Sequence, residues 1–391
     1  MPFLTKSGIF IREEPGLCIL TYSPFSGLFY ACALKDKEQL LMWLNKKIPA
    51  PPDETYEKAL GPGWAIDYKD AEYPTPQMLP PRDDNWGKTI FHSHRPILIN
   101  WLITGNCLLN CKYCYAQDMM HGKYPEPNAN NVENIAKAIL KYDPLVVVLT
   151  GGDPLVSPHL ELAIRLLYNK VGIILDTSGY SLTPNHIEIF KKYNVFVRIS
   201  LDSEIPKVNE SLRPTSSRTK TTNRQYPNTA SAAVNAIDQC IDNKIKVAVQ
   251  SVATKKNRSD FEALGDKLFK LGIGGWRILM IAPSEGKYET YLELMGEEIG
   301  RNRLYNYLLK HVRSKNKNYW HFKMPVQVAQ NQIPNAVVLV APDGTFLTES
   351  NVIGRNNRKV MIDSESQYQP RLESIQDCID MHAHLARYLN F

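Results

Sequence analysis

Between residues 96 and 285, short apolar runs of strand length alternate with longer stretches that carry apolar residues at helical spacing. The runs of strand length are residues 97–103, 145–149, 172–175, 195–201, 246–252 and 276–281, and the helical stretches are residues 131–142, 158–170, 184–193, 229–243 and 259–271. Continuous apolar runs are typical of strands that are covered on both faces. Strands that are connected through helices form parallel sheets with right-handed crossovers. The pattern predicts an α/β fold built from six β/α units.

Three cysteines follow the first predicted strand in the spacing C-x3-C-x2-C: Cys107, Cys111 and Cys114. Gly105 and Asn106 end that strand, so the cysteines are predicted to lie on a loop at its carboxyl end. Open and barrel α/β folds place their chemistry at this end of the strands. A short loop costs little entropy to close and can direct all three thiolates toward one metal centre.

The spacing leaves three interpretations of these cysteines. A structural zinc ion needs four ligands, and the local candidate for the fourth is His121. A 4Fe-4S cluster that is held by three thiolates keeps one iron open, which suits a catalytic role. Ordinary buried cysteines are the third interpretation. The spacing favours the iron-sulfur cluster and leaves the other two as alternatives.

With the aromatic Tyr113 directly before its third cysteine, this loop resembles the signature loop of the radical S-adenosylmethionine (radical SAM) superfamily. The resemblance implies one 4Fe-4S cluster whose open iron is chelated by the amino and carboxyl groups of S-adenosyl-L-methionine (SAM). It implies a reducing electron donor of the flavodoxin or ferredoxin type, and a 5′-deoxyadenosyl radical that abstracts hydrogen from a substrate. It also implies that the six β/α units form a partial (β/α)6 TIM-type barrel.

Residues at the ends of the predicted strands are candidates for SAM binding. Gly151, Gly152 and Asp153 follow the second strand and resemble the Gly-Gly-Glu segment that contacts the SAM amino group, with Asp153 in place of the glutamate. The two glycines would let the backbone approach a ligand closely. The alternative is a plain tight turn.

Five further positions complete the predicted SAM site. They are Ser178 after the third strand, Ser200 and Asp202 at the end of the fourth, Arg213 beyond it, and Gln250 on the fifth. The resemblance assigns Ser200 and Asp202 to the ribose and amino-acid parts of SAM, and Arg213 to its carboxylate. The alternatives are a helix cap for Ser200 and Asp202, and a hydrogen-bonded core amide for Gln250. No catalytic side chain is assigned.

Segments on both sides of the barrel give the predicted domain organisation. Residues 1–48 form a small α+β module with strands at 8–14, 17–22 and 25–34 and a helix at 36–45. Residues 49–95 are a proline-rich connector, residues 96–285 the barrel, and residues 286–391 a C-terminal extension. The module resembles peptide-recognition modules of enzymes that modify ribosomally made peptides, and a cap packed on the barrel is the alternative.

The extension is predicted to begin with a helix at 291–313 and to contain two strands around the Pro342-Asp343-Gly344 turn. This hairpin resembles the start of the SPASM-like extension of peptide-maturing radical SAM enzymes, in which auxiliary-cluster cysteines follow. Thr348, Glu349 and Ser350 stand there in this chain, and Cys378 is the one cysteine beyond residue 240. One thiolate cannot hold a second cluster. The extension is therefore predicted to lack an auxiliary cluster.

Charge and cysteine content restrict the partners and the compartment. The chain has 46 basic and 40 acidic residues, a formal net charge of +6, which does not argue for nucleic acid or an anionic membrane. Residues 213–231 carry four basic residues and no acidic one, and are predicted to be a solvated loop or a lid over the site. The sequence shows no signal peptide and no apolar stretch of membrane-spanning length. Seven cysteines, an odd number, fit a reducing compartment and predict a cytoplasmic protein.

The sequence thus predicts a radical SAM enzyme whose substrate is a peptide or protein side chain. Two alternatives stay open. One is a radical SAM enzyme that acts on a small metabolite or a nucleic acid, and the second is a non-catalytic binding protein that is stabilised by metal.

Overall fold

The computed structural model describes residues 2–14, 18–25, 27–52, 95–120, 122–216, 227–281, 288–296, 326–329, 337–352 and 355–360, together with residues 303, 304, 306–308 and 310. The predicted connector is described at its two ends, and residues 53–94 lie outside the described part.

Six parallel strands form the centre of the fold, as the sequence predicts. They are β5 (Leu98–Leu102), β6 (Val146–Thr150), β7 (Gly172–Thr177), β8 (Phe196–Ser200), β9 (Val247–Ala253) and β10 (Trp276–Met280). They pair in chain order, for example with Leu98 opposite Val146. The apolar side chains of β6 are completely buried, because helices cover the outer face and the interior of the curved sheet covers the other. The fold class is an α/β partial barrel.

Helices connect these strands on the outside of the sheet. They are α2 (Ala129–Lys141), α3 (Leu160–Leu167), α4 (Pro184–Tyr193), α5 (Pro206–Leu212), α6 (Thr229–Asp242) and α7 (Phe261–Leu271). The side chain of Thr183 accepts a hydrogen bond from the His186 amide and caps α4, and Pro184 occupies its first turn. Helix α3 is shorter than predicted, and the short α5 is an element that the sequence analysis did not include.

The C-terminal extension continues the central sheet at both edges. Strand β11 (Val326–Ala329) pairs in parallel with β10, and β12 (Val338–Val340) pairs in parallel with β5. Two antiparallel strands, β13 (Phe346–Val352) and β14 (Arg355–Val360), follow β12. The predicted hairpin around Pro342-Asp343-Gly344 is present. Its attachment to β5 joins residues that are more than two hundred positions apart, which local sequence patterns do not encode.

The prediction of one helix over residues 291–313 is wrong. Helix α8 spans Tyr288–Met295, and Gly296 has a φ of 79° that leaves the helical region. The described residues between 303 and 310 are helical again.

The N-terminal module is a four-stranded antiparallel sheet with one helix. Its elements are β1 (Phe3–Leu4), β2 (Phe10–Glu14), β3 (Cys18–Ser23), β4 (Leu28–Ala33) and α1 (Lys37–Leu44). Alternate residues face opposite sides of the sheet. Ile9, Ile11 and Ile19 pack with Trp43 of α1, whereas Phe10, Leu20 and Tyr22 pack in the barrel core. The predicted turn at Pro15 and Gly16 lies outside the described residues.

The module contacts the amino ends of the barrel strands. A Cβ atom on Gly172, the first residue of β7, would lie 2.3 Å from Cδ1 of Tyr22. One on Gly27 would lie 2.5 Å from the ring of Phe196, the first residue of β8. The cysteine loop lies at the opposite, carboxyl end of the sheet. The described contacts therefore show the module packed as a cap on the amino ends of the barrel strands.

Arg12 connects this cap to the segments that lead into β5 and β6. Its Nε donates to Glu14 Oε1 at 2.7 Å, and its Nη1 donates to the carbonyl oxygens of Pro96, at 2.8 Å, and Asp143. The Arg12 side chain is 1% exposed and that of Glu14 is 2% exposed. Burial lowers the pKa of Arg12, although the neighbouring Glu14 opposes this effect. A buried arginine stabilises the contact between the N-terminal module and the barrel only when hydrogen-bond acceptors or a carboxylate satisfy its charge.

Among the residues that the structure describes, no helix combines the length and the apolar composition that crossing a membrane requires.

Candidate active site

The cysteine loop lies at the carboxyl end of β5 and borders a cavity of about 260 Å³. All but one of the predicted site residues line this cavity: Cys107, Cys111, Tyr113, Cys114, Gly151, Gly152, Asp153, Ser178, Ser200, Arg213 and Gln250. The exception is Asp202, which is completely buried and lies behind the wall. The fold therefore collects the ends of five different strands around one space, as expected for parallel strands whose carboxyl ends meet at one edge.

A segment after α5 pairs with the cysteine loop. The amides of Asn110 and Lys112 donate to the carbonyl oxygens of Pro214, at 2.8 Å, and Leu212, at 3.0 Å, and the Ser216 amide donates to the Leu108 carbonyl at 2.8 Å. The part of the predicted basic loop that the structure describes therefore stabilises the cysteine loop. Residues 217–226 of that loop lie outside the described part, so its predicted role as a lid remains a prediction.

Glu126 fixes the start of the cysteine loop. Its two carboxylate oxygens accept hydrogen bonds from the Thr104 hydroxyl, at 2.6 Å, and the Gly105 amide, at 2.7 Å. The Asn106 amide in turn donates to the Thr104 hydroxyl at 3.0 Å. The sequence analysis missed Glu126. The available signal was an acidic residue between two prolines, Pro125 and Pro127, shortly after the third cysteine.

The Gly151-Gly152 turn approaches the cysteine loop so closely that no side chain fits. A Cβ atom on Gly152 would lie 2.0 Å from the Asn106 carbonyl oxygen, and one on Gly151 would lie 2.4 Å from that of Thr104. The amides of Gly152 and Asp153 donate to these two oxygens at 2.8 Å each. The glycines are therefore needed for this close backbone approach.

Asp153 binds the end of the neighbouring strand. Its Oδ1 accepts from the Leu155 amide at 3.1 Å and from the Thr177 hydroxyl at 2.7 Å. Its Oδ2 accepts from the Ser178 amide at 3.0 Å and from the Ser178 hydroxyl. Four protein donors thus satisfy the carboxylate. Asp153 and Ser178 line the cavity, but their side chains are bonded to each other and hold two strand ends together.

Tyr113, Asp202 and Arg213 form a buried network beside Cys111. The Tyr113 hydroxyl donates to Asp202 Oδ2 and accepts from Arg213 Nη1 at 2.9 Å. Asp202 Oδ1 accepts from the Val252 amide at 2.8 Å, and Arg213 Nη1 lies 3.9 Å from Asp202 Oδ2. Arg213 reaches the cavity wall, whereas Asp202 does not. The network connects the cysteine loop to the ends of β8 and β9.

Burial governs the pKa values of these groups. It raises the pKa of Cys111 to about 12, and the positive charge of Arg213 opposes this rise. Burial also raises the pKa of Cys107 well above its ordinary value, and that of Tyr113, so its hydroxyl stays protonated and can donate. Metal ligation requires cysteines to be deprotonated. A metal centre on this loop therefore forms with release of protons.

The barrel wall below the loop is polar. Asp176 on β7 and Arg198 on β8 form a bidentate pair, with Nε to Oδ1 at 2.5 Å and Nη2 to Oδ2 at 2.8 Å. On the next strands Gln250 is paired in register with Ser200 and with Arg277, and all three side chains line the cavity. Donors and acceptors in this band suit a polar ligand.

The extension supplies an apolar wall. Val337, Leu339 and Leu347 pack in one cluster with Met119 and Met120 of the cysteine loop, and Cys107 and Cys114 pack against that cluster. This wall shields one side of the loop from water.

The donor set of the loop fits a 4Fe-4S cluster. Within the described residues no group of three or more His, Cys, Asp and Glu side chains is arranged to hold a metal ion. In a cubane cluster each cysteine ligates a different iron, so the three sulfurs border a volume and do not meet at one ion. Soft thiolate ligands favour such clusters. His121, the candidate fourth ligand for zinc, lies outside the described residues.

Comparisons with known proteins agree with this site. Residues 101–268 match the model of the radical SAM superfamily. An AdoMet-dependent heme synthase of Nitratidesulfovibrio vulgaris is 24% identical over 193 residues, which are 48% of this chain and 48% of the relative. The mycofactocin maturase MftC of Mycobacterium tuberculosis is 25% identical over 218 residues, or 55% of this chain and 52% of the relative. The chain thus spans about half the length of the curated relatives it matches.

A solved structure has the same fold over nearly the whole chain. Streptococcus suis SuiB, solved bound to S-adenosylmethionine, superposes with a TM-score of 0.56 at 13% identity and covers 95% of this chain and 89% of its own. The family match covers the cysteine loop and strands β6 to β9, which contribute residues to the cavity wall. The cofactors of this family are a 4Fe-4S cluster and SAM. Residues 101–268, which carry the cysteine loop, therefore match the radical SAM superfamily, and the chain resembles maturases of that superfamily but lacks the cysteines of an auxiliary cluster.

Proposed function

We propose that this protein cleaves SAM reductively and uses the resulting radical to abstract hydrogen from a peptide or protein side chain. The observation that carries the proposal is the cavity in which three cysteine thiols, the Gly151-Gly152 turn and polar side chains of strands β7 to β10 meet. When bound, the cluster supplies the electron that splits SAM into methionine and a 5′-deoxyadenosyl radical.

The residues of the cavity have separate roles in this proposal. Cys107, Cys111 and Cys114 would hold the cluster, which would keep one iron available to SAM. The Gly151-Gly152 backbone lies against the same loop and can contact the SAM amino group. Ser200 and Gln250 offer hydroxyl and amide groups to the ribose and adenine. Asp153, which is occupied by four protein donors, positions the neighbouring strand end.

A peptide or protein substrate is supported by two findings. MftC is a maturase, and SuiB has been solved bound to the precursor peptide SuiA. The carboxyl end of the barrel, where the cavity lies, offers the route for a substrate, because the N-terminal module packs against the amino ends of the strands. A small molecule is the second candidate, since the curated relatives include heme synthases.

An electron donor of the flavodoxin or ferredoxin type and a cytoplasmic location complete the proposal. Among the described residues, Cys18, Cys32, Cys240 and the three loop cysteines form no disulfide. Reduced cysteines are typical of proteins in a reducing compartment.

Anaerobic reconstitution tests the cleavage reaction. The protein is expected to bind about four irons per chain and, with dithionite, to convert SAM into 5′-deoxyadenosine and methionine. The variant Cys107→Ala/Cys111→Ala/Cys114→Ala should bind no cluster and form neither product. Zinc in place of iron, or a fully loaded cluster that leaves SAM intact, would refute the enzyme.

The substrate class needs a second measurement. The rate of 5′-deoxyadenosine formation is compared with no addition, with a short precursor peptide encoded beside the gene, and with an iron porphyrin. A rise with the peptide, together with a mass change of the peptide, supports the proposal. A rise with the porphyrin alone would instead support the second candidate function, which is modification of a small molecule.

A further inference from the structure

Two opposite charges lie beside Cys111 in the buried network described above. Arg213 is 8% exposed and Asp202 is 0% exposed. Arg213 lines the same cavity as Cys107 and Cys111, and Tyr113, two residues after Cys111, is hydrogen-bonded to both Arg213 and Asp202. Buried charges are screened less by water and salt than exposed ones. The network is therefore a fixed electrostatic element next to a predicted cluster ligand.

Burial raises the pKa of Asp202, and the charge of Arg213 and the hydrogen bonds from Tyr113 and Val252 oppose this rise. Asp202 accepts from the Tyr113 hydroxyl on one oxygen and from the Val252 amide on the other, as a carboxylate does. An arginine side chain remains protonated in proteins. The Tyr113 hydroxyl bridges the two groups and holds their positions relative to the loop.

We propose that Arg213 and Asp202 set the reduction potential of the cluster, with Tyr113 as the residue that positions them. The cluster gains one electron when it is reduced, so its negative charge increases. A neighbouring positive charge stabilises the reduced form and raises the potential, and a neighbouring negative charge lowers it. The pair thus moderates the potential at which an external donor can reduce the cluster. This proposal rests on ligation of the cluster by the three cysteines, which iron analysis tests separately.

Single substitutions should shift the potential in opposite directions. Arg213→Gln removes the positive charge and should move the midpoint to more negative values, whereas Asp202→Asn removes the negative charge and should move it to more positive values. Arg213→Lys keeps the positive charge, so its midpoint potential should stay close to that of the wild type. Tyr113→Phe removes the bridging hydroxyl without a change of charge and should shift the midpoint less than either. Damage to the cysteine loop alone would not shift the midpoint in opposite directions in Arg213→Gln and Asp202→Asn.

The experiment is a potentiometric titration of the reconstituted protein without SAM, followed by the EPR signal of the reduced cluster at pH 8.5, which favours the carboxylate. Iron per chain is measured for each variant. Should Arg213→Gln fail to load, Asp202→Asn and Arg213→Lys carry the test. The double variant Arg213→Gln/Asp202→Asn should return toward the wild-type midpoint if it loads.

Unchanged midpoints, or shifts of the same sign, in variants with a full cluster would overturn the proposal. A wild-type protein that binds no iron would instead refute the proposed function.

Discussion

The cysteine loop can adopt its conformation because Gly151 and Gly152 have no Cβ atom. The backbone of the Gly151-Gly152 turn lies against Thr104 and Asn106, and its amides donate to their carbonyl oxygens. Cys107 follows Asn106 directly. A displacement of Asn106 would therefore move a predicted cluster ligand, which couples the identity of residue 152 to the metal site.

We predict that Gly152→Ala lowers both stability and cluster loading. The new Cβ would lie 2.0 Å from the Asn106 carbonyl oxygen and 2.9 Å from the Cys107 amide nitrogen. Overpacking of this kind costs about 1–3 kcal/mol. The measurement is iron per chain after reconstitution, with thermal unfolding of the iron-free protein.

Gly122→Ala is the matched control for this prediction. Gly122 has a φ of 89° but nothing within 4 Å of a Cβ atom, so the change introduces backbone strain of about 1–2 kcal/mol without a collision. It should lower stability and keep the iron content. Equal loss of iron in both variants would show that cluster loading follows general destabilisation and not the close approach at residue 152.

At the level of elements, the cysteine loop is held from three sides. Glu126 binds its start, residues 212–216 pair with its middle, and the hydrophobic cluster of the extension packs on its end. The extension is therefore part of the site's support, because β12 extends the sheet beside β5. A loop with few internal hydrogen bonds needs such external partners to place three thiols.

We predict that Glu126→Ala lowers the affinity of the loop for iron. Two hydrogen bonds to a charged group are lost, each worth about 1.5–3 kcal/mol, and the Gly105 amide loses its partner. The measurement is the rate at which a chelator removes iron from the reconstituted protein, which should rise.

Glu133→Ala provides the comparison, since Glu133 is partly exposed on α2 and outside the loop contacts. Its iron release should match the wild type. If Glu126→Ala also releases iron at the wild-type rate, Glu126 does not hold the loop.

In the whole molecule, one end of the barrel packs against the N-terminal module and the other end carries the candidate active site. The amino ends of the strands are closed by the N-terminal sheet, and the carboxyl ends carry the cavity. Arg12 and Glu14 lie in the first interface, at the opposite end of the strands from the cysteines. Stability and chemistry should therefore be separable by mutation.

We predict that Arg12→Met destabilises the fold by about 3 kcal/mol, the lower end of the loss for a broken buried ion pair, because Glu14 loses Arg12 but keeps its contact with Arg95 and the carbonyl oxygens of Pro96 and Asp143 lose a donor. Iron content and SAM cleavage per folded molecule should be unchanged at low temperature. The free energy of unfolding is measured by urea denaturation.

Lys37→Met is the control within the same module. Lys37 and Glu13 form an ion pair whose side chains are each 42% exposed, and exposed pairs contribute about 0–1 kcal/mol. A similar loss of stability in both variants would remove the special role of the Arg12 network. Altered substrate modification in Arg12→Met at full stability would argue for recognition by the module.

The amino-acid sequence by itself determined the features that short-range patterns encode. The spacing of Cys107, Cys111 and Cys114 predicted the cluster loop, and the alternation of apolar runs and helical stretches predicted six parallel strands. Thr183 and Pro184 predicted the start of α4 at the correct residue. These features depend on neighbours within one turn or one strand, so the chain carries them locally.

Only the tertiary structure decided what each side chain faces. Asp202 turns away from the cavity because the Val252 amide and Tyr113 bind it, and Asp153 is occupied by the neighbouring strand end. The flanking prolines of Glu126 did not identify its partners, since these lie more than twenty residues earlier in the chain. The pairing of β12 with β5 and the position of the N-terminal sheet likewise depend on contacts between distant residues. Such contacts form when whole elements pack together, which local spacing does not specify.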